Sequence, residues 1–202
     1  LNATPLVAGD VIVVGAAHRF SGSPKTMNNT RGYVRGFDVK TGKRLWIFHT
    51  VPKPGEYGYD TWLEESADRN GNTGAWAQFS ADLDLGLVYV PVEMPTGDYY
   101  GGNRPGDTLF DESLVALDIK TGQSAWQVRG FARASLVHAD GKVIVMNEDG
   151  DLALARMSPT GAEILARAKI FDTVSWTAPA LVGTTLYARD RDKFVALDLG
   201  VP

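Results

Sequence analysis

The chain has 202 residues, 44% of them hydrophobic, and a formal net charge of −4. That length can bury one sizeable core, and the mildly acidic balance gives no basic footprint for a nucleic-acid partner. Cysteine is absent, which excludes disulfides and thiolate metal sites within the chain. No apolar run approaches the ~18 residues of a membrane-spanning helix. Leu1–Pro5 has no basic stretch leading into an apolar one, so an export signal would have to lie outside this chain.

In chain order, Thr4–Asp10 and Val11–Val14 are short β-branched runs around a Gly-Asp turn, as in the inner strands of a sheet. A polar loop over 16–31 precedes an apolar run, Tyr33–Phe37, and then the phrase Asp38-Val-Lys-Thr-Gly-Lys-Arg-Leu-Trp46. That phrase returns as Asp118-Ile-Lys-Thr-Gly-Gln-Ser-Ala-Trp126. Asp accepts backbone N–H groups, Gly supplies φ > 0, and a Trp-bearing outer strand leaves, so each copy reads as a β-hairpin corner. The two Trp side chains are expected to pack between neighbouring sheets.

Between the copies, residues 51–73 form a long loop with Tyr57, Tyr59, Trp62, Glu64 and Glu65. Long loops of this kind either build sites or pack as surface excursions. Ala75–Phe79 then opens a second unit as an inner strand, Leu87–Val90 follows, and a second excursion runs from Glu93 to Asp111. A third unit is read from Phe131–Val137, Val143–Met146, Asp151–Arg156 and Glu163–Ala168. A fourth, from Trp176–Leu181, Leu186–Ala188 and Phe194–Leu197, stops before a last strand could form. Nothing reads as a helix. Corners stepping by roughly 40 residues give the period of a four-stranded propeller blade.

The expected fold is therefore an all-β propeller, in one partial domain over 1–202. Its blades are 1–50, 75–128 (with insertions 51–74 and 93–111), 129–170 and an incomplete 171–202. His18, His49 and His138 have no spacing that builds a metal site, and the adjacent Glu64 and Glu65 read as solvated. No nucleophile elbow, P-loop or dinucleotide fingerprint occurs.

The two corners resemble the tryptophan-docking repeat of the pyrroloquinoline-quinone (PQQ) dehydrogenase family, whose members are eight-bladed propellers. Further matches follow in the family's order between Tyr33 and Asp118: Leu-Trp-Ile-Phe-His-Thr50, Gly-Ala-Trp-Ala77, Leu-Val-Tyr-Val-Pro91 and Tyr-Tyr-Gly-Gly-Asn-Arg-Pro-Gly-Asp107. The resemblance implies oxidation of a sugar or alcohol by hydride transfer to PQQ in the periplasm or cell envelope, with Trp76 as the floor under the quinone. It places Thr96 near the family's calcium, which wants oxygen ligands. Asp98, Asn103, Arg104 and Asp107 share that excursion and fit ordinary turn chemistry equally well.

Two departures accompany the matches. The Trp-Asp motif that carries the family's catalytic carboxylate is missing after Trp126, where the chain runs Gln-Val-Arg-Gly-Phe-Ala-Arg-Ala134, so no catalytic residue is assigned. The acidic calcium ligand expected after Val14 is missing too. After Trp126 the chain resembles a looser class of PQQ-like repeats. Two readings follow: a fragment of a PQQ dehydrogenase, with base and remaining cage on further blades, or a non-catalytic propeller scaffold presenting loops to a protein partner.

Overall fold

The computed structural model describes residues 3–16, 29–96, 100–131 and 133–200. It contains four small antiparallel sheets, each built from strands consecutive in sequence. Sheet A holds β1 (Leu6–Ala8), β2 (Val11–Val14), β3 (Tyr33–Asp38) and β4 (Arg44–His49). Sheet B holds β5 (Ser80–Asp82), β6 (Leu87–Pro91), β7 (Ser113–Asp118) and β8 (Ser124–Arg129). Sheet C holds β9 (Ser135–Ala139), β10 (Lys142–Met146), β11 (Asp151–Ser158) and β12 (Gly161–Lys169). Sheet D has β13 (Ala180–Val182), β14 (Thr185–Arg189) and β15 (Phe194–Asp198). Up-and-down four-stranded units in series are the blades of a β-propeller.

Alternation along the strands explains why the blades stack. Val11, Val13, Val34, Trp46 and Phe48 of sheet A are buried against Val88, Val90, Val115 and Leu117 of sheet B. The opposite face of sheet B, with Leu87, Tyr89, Leu114 and Trp126, packs on Leu136, Val143, Val145 and Ala153 of sheet C. A period of two thus gives each inner blade two apolar faces, one for each neighbour.

The corners behave as the repeat requires. Asp38 Oδ1 accepts the Lys40 and Thr41 amides at 3.1 and 2.7 Å and the Thr41 hydroxyl at 2.7 Å. Asp118 repeats this with Lys120 and Thr121. Gly42 and Gly122 sit at φ 68° and 69°, where a side chain is strained. Trp46 and Trp126 are buried. Trp46 Nε1 donates to Ile119 O at 2.9 Å and Trp126 Nε1 to Ser158 O at 2.8 Å, each reaching the corner of the next blade.

The sequence expectations need correction at the starts of the inner strands and in the excursions. Ala75–Phe79, Phe131, Arg133, Ala134 and Trp176–Pro179 are not strand; the inner strands begin at Ser80, Ser135 and Ala180. At Ala75, and at Ser175 just before Trp176, the backbone bonds to the preceding loop instead of a ladder, Ala75 N–H to Ala16 O and Ser175 N–H to Glu148 O. One turn of helix, α1 (Ser66–Arg69), and a short 3-10 turn at Tyr59–Thr61 lie in the first excursion, and another 3-10 turn, Gly101–Asn103, in the second. That excursion has its own small core of Val51, Trp62 and Ala67. Among the described residues no helix is long and apolar enough to cross a membrane.

Candidate functional site

The two excursions of sheet B close on one another. Leu63 N–H bonds to Pro105 O at 3.0 Å, Thr108 N–H to Thr61 O at 3.1 Å, and the Asn70 amide to Asn103 O at 3.0 Å. Thr96 lies at this seam. Its amide donates to Gly71 O at 3.1 Å, its hydroxyl oxygen accepts Gly71 N–H at 3.0 Å, and it is buried.

Trp76 sits just before β5, half-buried. Its Nε1 donates to Glu93 Oε2 at 2.8 Å, and Glu93 Oε1 accepts the Gly74 amide at 3.1 Å. A Cβ on Gly74 would lie 2.6 Å from Glu93 Oε1 and 2.7 Å from Ala16 O, so only glycine allows the carboxylate to straddle this segment. Glu93 is buried and therefore needs a counter-charge, which Arg133 supplies with Nε 3.6 Å from Glu93 Oε2. The same guanidinium reaches Glu148 with Nη1 at 3.2 Å from Oε2, and Trp176 Nε1 donates to Glu148 Oε2 at 2.9 Å. A chain Trp76, Glu93, Arg133, Glu148, Trp176 therefore crosses three blades. Arg133 holds φ 49° within it, a conformation costing roughly 1–2 kcal/mol.

The sequence singled out Trp76 and missed its partners. Glu93 and Glu148 each stand two residues past the end of a central strand, β6 and β10, and Trp76 and Trp176 each stand four residues before an inner strand. That paired spacing was the available signal. Asp111 was also missed as a charged group. It is buried, 3.4 Å from Arg104, and accepts the Thr108 hydroxyl at 3.2 Å. Burial pushes its carboxyl up to about 6, against the pull of Arg104.

Asp107 and Asn103 are exposed, Arg104 caps Tyr100 O at 2.9 Å, and Asp98 and His18 lie outside the described residues. His49 pairs with Glu56 at 2.8 Å and His138 faces Asp82 at 3.6 Å. Glu64 and Glu65 are exposed at positive φ.

The Trp76 indole is half-buried and held along its N–H edge by Glu93, so the orientation of its ring is fixed. A calcium cage does not fit the described residues. Both oxygens of Glu93 accept N–H groups beside a guanidinium, and the Thr96 oxygen accepts Gly71, whereas the ion takes six to eight oxygens.

Residues 1–140 match the profile of the family described as "Glucose/ethanol/alcohol dehydrogenase, beta-propeller domain". Quinoprotein glucose dehydrogenase of Gluconobacter oxydans is 31% identical over 168 residues, covering 77% of this chain and 19% of that protein. The chain thus spans about a fifth of that relative's length. A quinohemoprotein alcohol dehydrogenase from Pseudomonas putida HK5 superposes with TM-score 0.59 at 25% identity, covering 82% of this chain and 27% of the other. One from Comamonas testosteroni gives TM-score 0.68 at 16% identity over 91% of this chain and 36% of the other. The docked corner tryptophans and the matched first 140 residues agree: the chain belongs to the glucose/ethanol/alcohol dehydrogenase β-propeller family of PQQ proteins.

Proposed function

We propose that the chain is the quinone-floor segment of a PQQ-dependent dehydrogenase that oxidises a sugar or an alcohol, with the cofactor ring on the face of Trp76. The observation that carries this reading is the Trp76–Glu93 bond of 2.8 Å, held in turn by Gly74 and Arg133. When bound, PQQ supplies the two-electron oxidant that takes hydride from the substrate carbon. The chain's own residues fix a planar surface. Glu93 locks the indole edge, and Arg133 neutralises Glu93 so that the pair stays desolvated.

Thr96, which the family resemblance places near calcium, is not assigned as a ligand here, because its hydroxyl oxygen already accepts the Gly71 N–H. Exposed Val182, Tyr187 and Phe194 on the outer face of sheet D, the last two stacked at 6.1 Å, support cover by further blades or a protein partner. Action in the periplasm or cell envelope is part of the same reading.

Equilibrium dialysis of the whole chain against PQQ, followed by a dye-reduction assay with glucose and ethanol, tests it. The expected result is weak quinone retention by the wild type, less by Trp76→Ala, and no turnover. Equal retention by Trp76→Ala overturns the assignment. No retention by either protein favours the scaffold reading, which the short-looped sheets C and D would then serve.

A further inference from the structure

The three spaces between blades are built to one plan, and the third departs from it. In β3–β4 the register skips a residue just after Gly36, which lies opposite Trp46; in β7–β8 it skips after Ala116, opposite Trp126. Sheet C has the same skip in β11–β12, after Leu154, and the residue opposite Leu154 is Ala166. Ala166 therefore stands where each preceding blade carries a tryptophan.

An indole is replaced by a methyl group, and the consequence is visible between sheets C and D. The buried contacts there centre on Met146, Phe171 and Ala188, toward one end of the interface. Alongside them an apolar cleft of about 620 Å³ remains open, walled by Ile144, Leu152, Leu154 and Ala166 from sheet C and by Leu181 and Leu199 from sheet D. That volume lies within the range of small-molecule sites. Leu199 follows Asp198 as Ile119 follows Asp118, and it is the Ile119 carbonyl that accepts the Trp46 N–H. Asp198 also organises its corner in the same manner, with Oδ1 accepting the Gly200 amide at 2.9 Å.

We propose that this cleft is a binding site for a flat aromatic heterocycle of indole size, apolar over both faces and carrying one N–H donor. The ligand occupies the space that Trp46 and Trp126 fill in the two other interfaces, with its N–H directed at the Leu199 corner. The assignment is independent of the quinone reading, since Trp76 and Glu93 take no part in it.

Indole itself is the probe, followed by calorimetric titration and thermal unfolding of the whole chain. Wild-type protein binds indole and its Tm rises with indole concentration. Ala166→Trp fills the cleft, so it loses the indole-dependent rise and melts higher than wild type without ligand. Ala166→Leu, a smaller filling that keeps the protein readable should the tryptophan variant fail to fold, weakens indole binding by about tenfold or more. 1-Methylindole, which lacks the donor, binds more weakly than indole. Absence of indole binding to wild type, or binding undiminished in Ala166→Leu, overturns the proposal.

Discussion

Trp46 and Gly122 belong to different blades, 76 positions apart in sequence, yet a Cβ placed on Gly122 would fall 2.5 Å from Cδ2 and Cε3 of the Trp46 ring. The corner glycine of one blade is thus the seat for the tryptophan of the blade before it. Gly42, at the equivalent corner of sheet A with nearly the same φ, has nothing within 4 Å of that position.

This difference gives a paired test of the docking. Gly42→Ala pays only for a left-handed alanine, roughly 1–2 kcal/mol. Gly122→Ala pays the same and also displaces the Trp46 ring, so denaturant unfolding should show it clearly the more destabilised of the two.

Trp46→Ala removes a large buried side chain and should cost about 3–5 kcal/mol. Trp46→Phe keeps much of the apolar area but leaves the Ile119 carbonyl without its indole donor, at a cost of roughly 1–3 kcal/mol. The corresponding changes at Trp126 should follow the same order by denaturant unfolding.

Arg133 joins two buried carboxylates. Arg133→Met, similar in length without the charge, removes the guanidinium from between the buried carboxylates Glu93 and Glu148 and should destabilise by about 3–5 kcal/mol. The triple variant with Glu93→Gln and Glu148→Gln should recover most of that loss, which a thermal melt of the three proteins will show.

Asp111 gives a pH dependence of definite sign. Its folded pKa is raised by burial from 3.8 to about 6, so the native state binds the extra proton between these values. Stability from this group is complete below about pH 4 and declines as pH rises through 6, by roughly 2–3 kcal/mol in total. In Asp111→Asn the decline over pH 4–6 should be absent; an unchanged slope would show that Asp111 ionises normally.

The blade plan was legible because Asp-x-x-Thr-Gly-x-x-x-Trp fixes a local turn and a distant contact together, and both act through residue types that few others replace. The starts of the inner strands were not legible. Ala75–Phe79 and Trp176–Pro179 have strand-like composition, but the Ala75 and Ser175 amides go to Ala16 and Glu148 carbonyls across to the neighbouring loop, which no local pattern encodes. Trp76 was reached through the family's motif. Glu93 was not, because a glutamate after a strand reads as a solvated loop residue until its two N–H donors are seen. Ala166 was invisible for a simpler reason: only the register of β11–β12 reveals which tryptophan it replaces.

The proposed role of Trp76 as the floor for the quinone can be tested directly. The indole Nε1–H resonances of the chain's five tryptophans, with that of Trp76 assigned through Trp76→Phe, can be followed by two-dimensional NMR as PQQ is added. The Trp76 resonance is expected to shift progressively while those of Trp46 and Trp126, buried at blade contacts, stay in place. A Trp76 signal that remains fixed while PQQ moves others, or shifts elsewhere that persist unaltered in Trp76→Phe, would contradict it.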